Sequence, residues 1–432
     1  MSRVRELLLL RRSPAVRSSG LLFAGDAASA LAGLVMVSIT SRHLGAARFG
    51  VLAQQNLIVA LLVGITDLGL ATATLKLVGE RRAQGRGTEA LLRVVVMAEC
   101  AVGLLVLALG GLFAGRLAGG LSGESIHLAV VLAVVSGSAQ SALAFVGPFL
   151  AAHGLFFRNA ALTAAGAAAR LVVVSTLIAT GHGSLRVLLV ASAVLPVLTL
   201  LVGVAMSPRG WLRPSTRAAQ RAELAVVVRF SRWILLSYVA TTIASRVDVL
   251  LVSRYRDATE VGVYAAALQL VLPLPLLVGA VSTVLLPRIA GLDVAGLQSY
   301  LRQTAPLTAG LGAVLLLPLL VAGPVLRLVY GAGFGASTTP FTLLYLAYLV
   351  ALVTNPLSIV VYARDRPQWF TAVNAVQAVL GVGLDVVLVP RAGAVGAAVV
   401  FLVCNTLGGL AGAAMAWHLT RSPAPTERSP SL

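Results

Sequence analysis

Apolar residues run along this chain in stretches of membrane-spanning length, separated by short segments that hold most of the charge. A hydrocarbon layer about 30 Å thick is crossed by roughly 20 residues of helix at 1.5 Å per residue. Twelve stretches meet that length: 20–41, 50–73, 92–115, 126–150, 159–181, 185–206, 232–253, 262–286, 305–329, 340–363, 369–390 and 394–417. The pattern predicts an all-α membrane protein with twelve transmembrane helices. Every polar side chain inside a stretch must then be weighed against lipid.

The stretches fall into two sixes. Leu61-Leu62-Val63-Gly64 recurs as Leu276-Leu277-Val278-Gly279, and at the same offset Asn159, Gly166 and Arg170 fall on Asn374, Gly381 and Asp385. Phe49-Gly50-Val51-Leu52-Ala53 echoes Val261-Gly262-Val263-Tyr264-Ala265, three residues out of phase. Six spans is an even number, so the second copy re-enters in the orientation of the first. Two parallel six-helix repeats are expected to form two lobes around a central cavity, an arrangement suited to a transporter that rocks one lobe against the other. The expected division is 1–206 for the first lobe, 207–224 for a Pro- and Arg-rich linker, 225–418 for the second lobe and 419–432 for a tail.

Charge then sets orientation. With the N-terminus in the cytoplasm, twenty-three of the 33 basic residues fall on the cytoplasmic side, among them Arg3, Arg5, Arg81, Arg86, Arg209 and Arg217, and eight fall opposite. That asymmetry follows the positive-inside rule and returns the C-terminus to the cytoplasm. The net charge of +18 therefore reads as topology, with a contribution from anionic lipid headgroups, and not as a nucleic-acid surface. Hydrophobic residues make up 58% and charged residues 11%, which leaves a water-soluble domain out of contention. The N-terminal segment is too short in its apolar run for a cleaved secretory signal. Cys100 and Cys404 lie on different spans and read as packing residues.

Seven acidic or basic residues fall inside spans and away from the span ends: Asp26, Asp67, Glu99, Arg170, Arg246, Asp248 and Asp385. Each costs about 2.5–3.5 kcal/mol at the bilayer centre on the insertion scale. Asp26, Asp67 and Glu99 are near enough to the inner boundary to reach water by snorkelling, or they face a wet interior. Arg170 is well inside its span and has no such route. On the seventh span Tyr238, Thr241, Ser245 and Asp248 share one helical face, with Arg246 on the same flank. That face either hydrogen-bonds a neighbouring helix or forms a cavity wall. Asn355, Ser358 and Tyr362 form a second stripe, with Asn374 and Gln377 on the next span. Gln54, Gln55 and Asn56 cluster on span two, and Ser136, Ser138, Gln140 and Ser141 interrupt span four. Pro273 and Pro275, then Pro306, Pro318 and Pro324, then Pro356 are expected to kink or hinge the eighth, ninth and tenth spans.

No Gly-rich phosphate loop, nucleophile motif or paired His/Cys metal spacing is present, so neither an enzyme nor a bound cofactor is expected.

Several short stretches together carry a resemblance: Arg42-His43-Leu44-Gly45 through Arg48-Phe49-Gly50, Thr66-Asp67-Leu68-Gly69-Leu70, Arg246-Val247-Asp248 and Val261-Gly262-Val263-Tyr264-Ala265. Leu286-Pro287-Arg288, Tyr330-Gly331 to Phe334, and Leu388-Val389-Pro390-Arg391 through Gly393-Ala394-Val395-Gly396 complete the pattern. They resemble the polysaccharide (O-antigen type) flippase family of the multidrug, oligosaccharidyl-lipid and polysaccharide exporter superfamily. The resemblance implies movement of a polyprenyl-diphosphate-linked oligosaccharide across the cytoplasmic membrane by alternating access, for cell-surface polysaccharide biosynthesis.

That cargo fits the residues, because arginine clamps phosphate oxygens through paired hydrogen bonds. Arg170 and Arg246 are the candidates for the diphosphate, with Tyr238, Thr241, Ser245, Asn355, Ser358 and Asn374 facing sugar hydroxyls. Asp248 and Asp385 are candidates for coupling to a proton or Na⁺. Alternatively Asp248 neutralises Arg246, and Asp385 pairs with Arg170. Expected partners are the lipid-linked glycan, the bilayer, and a glycan polymerase or glycosyltransferases. The rival readings are a cation-coupled multidrug exporter, a lipid II type flippase, and a non-transporting partner of a glycan-assembly complex.

Overall fold

The computed structural model describes residues 14–421 apart from 67–69, 120, 122, 213–214, 245, 276, 279–284, 286–288, 290–291, 293 and 364–366. Side chains are described outside 14–24, 26, 82–83, 211–212, 232–244, 362–363, 367–371 and 421. Fourteen α-helices are defined among these residues: α1 Pro14–Thr66, α2 Leu70–Ala83, α3 Glu89–Ala118, α4 Ile126–Ala152, α5 Phe156–Ala179, α6 Leu185–Met206, α7 Arg217–Ala244, α8 Val247–Tyr255, α9 Ala258–Val271, α10 Val294–Val314, α11 Ala322–Tyr330, α12 Thr338–Ser358, α13 Val360–Ala363 and α14 Pro367–Arg421. Short 3₁₀ turns join several of them, and no strand occurs among the described residues.

Nine helical stretches of the described residues are long and apolar enough to cross a membrane. Two of them hold two spans each. At 1.5 Å per residue, the 53 residues of α1 and the 55 of α14 would run to about 80 Å, far beyond one bilayer. Each is broken once, at Gly45 (φ 71°) and at Gly393 (φ 54°). Positive φ is a conformation that glycine adopts without the Cβ penalty, which is why the break falls there. With the seventh span on α7 and α8, the total agrees with twelve transmembrane helices. The surface is apolar in the manner of a lipid-facing protein, with Leu112 75%, Leu320 82% and Val379 75% exposed.

Some of the prolines fall at helix breaks, whereas Pro306, Pro324 and Pro356 lie within α10, α11 and α12. Helix α9 stops at Val271, just ahead of Pro273. The ninth span is divided into α10, a 3₁₀ turn at Leu317–Val321 and α11, with Pro318 at the start of that turn. One segment differs from expectation. Helix α7 starts at Arg217, within the stretch expected as loop, because Glu223 and Val227 on one face bury against the preceding helices while Arg217, Arg221 and Val228 stay exposed.

The backbone divides into two compact units, Met1–Arg246 with Asp257–Gly262, and Val247–Arg256 with Val263–Leu432. In the first unit, α1 packs along α4 and α5, and α4 also packs on α3 and α6. One core joins Val51, Leu52, Ala129, Val130, Leu185 and Leu189, and a second joins Leu70, Val78, Leu91, Val95, Phe145, Phe149 and Val227. In the second unit, α14 packs along α12 and α8, over a core that includes Ile289, Leu297, Leu301, Val360 and Ala416.

Candidate functional site

Arg170, in the second half of α5, projects into a cavity of about 340 Å³ inside the first unit. Asn159, Thr163, Gly166 and Arg170 recur at helical spacing, so one face of α5 lines the space. The opposite walls come from Ser29 and Val63 of α1, Gln140 and Gly147 of α4, and Pro196 and Thr199 of α6. Glycines keep it open: a Cβ on Gly147 would sit 3.0 Å from Asn159 Oδ1, and one on Gly166 would sit 2.9 Å from Thr199 Cγ2. A smaller cavity of about 60 Å³ shares Arg170 and Gln140 and adds Thr40, Asn56 and Ser192.

The polar wall beside it is held in place by its own hydrogen bonds. Ser192 donates to Gln55 Oε1 (2.8 Å) and Gln55 donates to the Leu189 carbonyl (3.3 Å). Ser136 donates to the Ser192 carbonyl (3.0 Å), and Gln140 donates to Ser136 Oγ (3.0 Å). Arg170, by contrast, is held by no ion pair or hydrogen bond among the described residues. The lining mixes these hydroxyls and amides with aliphatic Leu143, Ala144, Leu162 and Ala167, and within it the guanidinium presents five N–H donors to an anionic ligand.

The second unit holds an acidic site. Asp248, at the start of α8, is 8% exposed and accepts from the Tyr264 hydroxyl (2.6 Å) and the Val249 N–H (2.7 Å). Asp385 on α14 is 4% exposed and close enough to Asp248 for the two carboxylates to interact. Its Oδ1 has no hydrogen-bond partner among the described residues. Tyr348 and Cys404 complete the surroundings.

The other expected site residues are dispersed. Arg246 is exposed at the junction between α7 and α8. The side chains of Tyr238 and Thr241, and all of Ser245, lie outside the described residues. Ser358 donates to the Thr354 carbonyl (3.0 Å) and faces α14, where a Cβ on Gly412 would sit 2.5 Å from its Oγ. Asn355 is half-buried on the same helix, and Asn374 is exposed on α14. Glu99 is buried and accepts from Ser141 Oγ (3.4 Å), so it does not reach water by snorkelling.

Sequence reasoning passed over Asn159, Thr163 and Thr199 as cavity residues and Tyr264 as the partner of Asp248. The first two carried a signal, since they stand eleven and seven residues before Arg170 on the same face. Tyr264 stood inside a family-like motif but carried no charge pattern. Thr199 carried none.

The chain matches the family described as polysaccharide biosynthesis protein over residues 15–292. No curated protein matches it. Among solved structures it is similar to the lipid II flippase MurJ in an inward closed conformation, with TM-score 0.69 and 15% identity over 91% of this chain and 86% of that one. It is also similar to an inward-facing multidrug resistance MATE family transporter of the MOP superfamily, with TM-score 0.62 and 17% identity over 93% and 94% of the two chains. A third likeness is to a MOP superfamily transporter from Pyrococcus furiosus, with TM-score 0.60 and 16% identity over 95% and 97%. At these identities the likeness concerns the fold. The chain is a multi-pass membrane protein of the polysaccharide biosynthesis family, with the fold of the MOP-superfamily transporters and flippases.

Proposed function

We propose that this protein flips a polyprenyl-diphosphate-linked oligosaccharide across the cytoplasmic membrane by alternating access, in the assembly of a cell-surface polysaccharide. The observation that carries the reading is Arg170, a cation without a protein partner among the described residues, in a cavity whose polar lining is Ser, Thr, Asn and Gln. A cavity of about 340 Å³ is at the small end of ligand sites and admits a diphosphate with adjoining sugar, not a whole glycan. The polyprenyl tail stays in lipid. Both termini face the cytoplasm in this reading, as the arginine distribution requires. The protein performs no covalent chemistry on its cargo and works beside the polymerase and glycosyltransferases that consume and supply it.

Asp248 and Asp385 are the proposed coupling site. Two buried carboxylates within range of each other, one with an oxygen lacking a partner among the described residues, present a site at which a proton or Na⁺ offsets their repulsion. Arg246, Tyr238, Thr241, Ser245, Asn355, Ser358 and Asn374 are the further candidates for contact with the cargo.

The test is glycan export in cells that depend on this protein. Arg170→Ala should abolish export while the protein remains in the membrane, and Arg246→Ala should reduce it. Normal export by both variants would sink the assignment. A multidrug exporter would instead confer drug resistance that Asp248→Asn removes and Arg170→Ala spares.

A further inference from the structure

Glu99 lies buried on α3 against Ser141 of α4, and it lines neither of the Arg170 cavities. Ser141 Oγ is 3.4 Å from Glu99 Oε1, and Thr66 Oγ1 is 2.7 Å from Ser141 Oγ. Thr66 Oγ1 is also 2.6 Å from the Leu62 carbonyl and 3.3 Å from that of Val63. A threonine hydroxyl has one proton and donates it to one acceptor at a time. The chain of three side chains therefore has two directions.

With Glu99 ionised, the carboxylate only accepts: Ser141 donates to Glu99 and Thr66 donates to Ser141, leaving the Leu62 carbonyl without the threonine. With a proton on Glu99, the carboxyl donates to Ser141, Ser141 donates to Thr66, and Thr66 donates to the Leu62 carbonyl. Each hydroxyl proton has an acceptor in both arrangements, and they differ by the one proton. The second arrangement ties Thr66 back onto the preceding turn, a bond known to bend helices. It acts at Thr66, the last described residue of α1.

We propose that Glu99 is a proton-binding site of the first unit, and that Ser141 and Thr66 carry its protonation state to the wall of the Arg170 cavity. The residues on either side supply the link: Gln140, next to Ser141, and Val63, whose carbonyl Thr66 approaches, both line that cavity. The link to cargo rests on the flippase reading, whereas the proton site does not.

Among the residues whose side chains are described, the charged and titratable groups on the elements packed against α3 are His127 and His153 on α4, Lys76, Glu80 and Arg81 on α2, Arg209 on the 3₁₀ turn, Arg217, Arg221, Glu223 and Arg229 on α7, and Arg42, His43 and Arg48 on α1. Arg81 is held by Glu223, Lys76 by Glu80, Arg48 by Glu124, His43 by the Gly183 carbonyl and His153 by the Phe149 carbonyl. Arg93 and Glu89 precede Glu99 on its own helix.

The experiment is infrared difference spectroscopy of the purified, lipid-reconstituted protein without cargo, titrated in H₂O and D₂O between about pH 5 and 9. The expected result is a deuterium-sensitive stretch of a protonated carboxyl that is lost in Glu99→Gln, shifted in Ser141→Ala, and retained in Arg170→Ala and Asp385→Asn. A carboxyl signal unchanged in Glu99→Gln, or the absence of any signal that this substitution removes, would overturn the proposal. Hydrogen exchange provides a second reading that does not require Glu99 to be replaced. After correction for intrinsic rates, exchange at the end of α1 should vary with pH in the wild type and lose that dependence in Thr66→Val. Persistence of the dependence in Thr66→Val would also overturn it. Export in cells tests the flippase reading separately, because Arg170→Ala leaves the infrared signal intact.

Discussion

Gly50 and Gly262, which stand at the same place in two related motifs, meet backbone to backbone. A Cβ on Gly50 would lie 3.0 Å from the Gly262 nitrogen and overlap the Ala258 carbonyl, and a Cβ on Gly262 would lie 3.1 Å from the Gly50 nitrogen and overlap the Ala46 carbonyl. Neither obstacle is a side chain that can turn away. Gly50→Ala should therefore destabilise the protein by about 1–3 kcal/mol, the range for overpacking. Gly33, in the same helix with open space where a methyl group would go, gives the control: Gly33→Ala should hold or raise the melting temperature in detergent. Equal melting temperatures for the two variants would show that the crossing is not tight.

The cavity gives a prediction about size. Gly166→Ala places a methyl group 2.9 Å from Thr199 Cγ2, and Gly147→Ala places one against the Asn159 amide. Both should lower cargo affinity with little change in melting temperature, because the neighbour displaced is a side-chain end beside open space. Measured binding of a lipid-linked diphosphate glycan to the reconstituted protein checks this. Unchanged binding by both variants would place the cargo elsewhere.

Tyr264→Phe removes the donor to Asp248 Oδ2 while keeping the ring, which is fully buried. A hydrogen bond to a charged group contributes about 1.5–3 kcal/mol, and the melting temperature should fall accordingly. Asp248→Asn should keep the fold and remove the dependence of transport on a proton or Na⁺ gradient. A gradient dependence retained in Asp248→Asn and in Asp385→Asn would move the coupling site away from α8 and α14.

Two ion pairs of the first unit differ in burial and should differ in worth. Arg81 and Glu223 are 2.6 Å apart, with side chains 25% and 11% exposed, while Arg48 and Glu124 are 3.4 Å apart and 59% exposed each. An exposed pair contributes about 0–1 kcal/mol, whereas a desolvated charge left without its partner costs several times that. Double-mutant cycles on melting in detergent should give clear coupling for Arg81 with Glu223 and almost none for Arg48 with Glu124. Equal coupling energies would count against the burial argument.

Much of the fold was legible because a bilayer imposes one length on every span, so apolar runs announce helices without help from tertiary contacts. The glycines at 45 and 393 were legible as part of family-like motifs, and the structure adds that positive φ is what fixes them there. Arg170 was legible because a cation so far inside a span has no cheap structural role. The tenth-span stripe was harder to interpret: Ser358 has the spacing of a cavity wall, but its hydroxyl bonds the preceding turn and faces Gly412, as that of Thr354 one turn earlier faces Gly409. Nothing in local spacing separates those uses, since the neighbour that decides lies about fifty residues on. Glu99 shows the same limit. Its depth was compatible with reaching water, and only the position of Ser141 on another helix shows that it is buried.

The most direct measurement is flipping of a polyprenyl-diphosphate-linked oligosaccharide in proteoliposomes that hold this protein alone, read as the fraction of glycan accessible to an impermeant oxidant. Charge-assisted hydrogen bonds are worth about 1.5–3 kcal/mol each, which corresponds to roughly ten- to a hundredfold in rate. Wild type should flip the lipid, Arg170→Lys should keep part of the activity through its charge, and Arg170→Ala should lose at least about tenfold. Flipping by Arg170→Ala at the wild-type rate, in protein that is folded and reconstituted, would contradict the assignment of this cavity to the diphosphate.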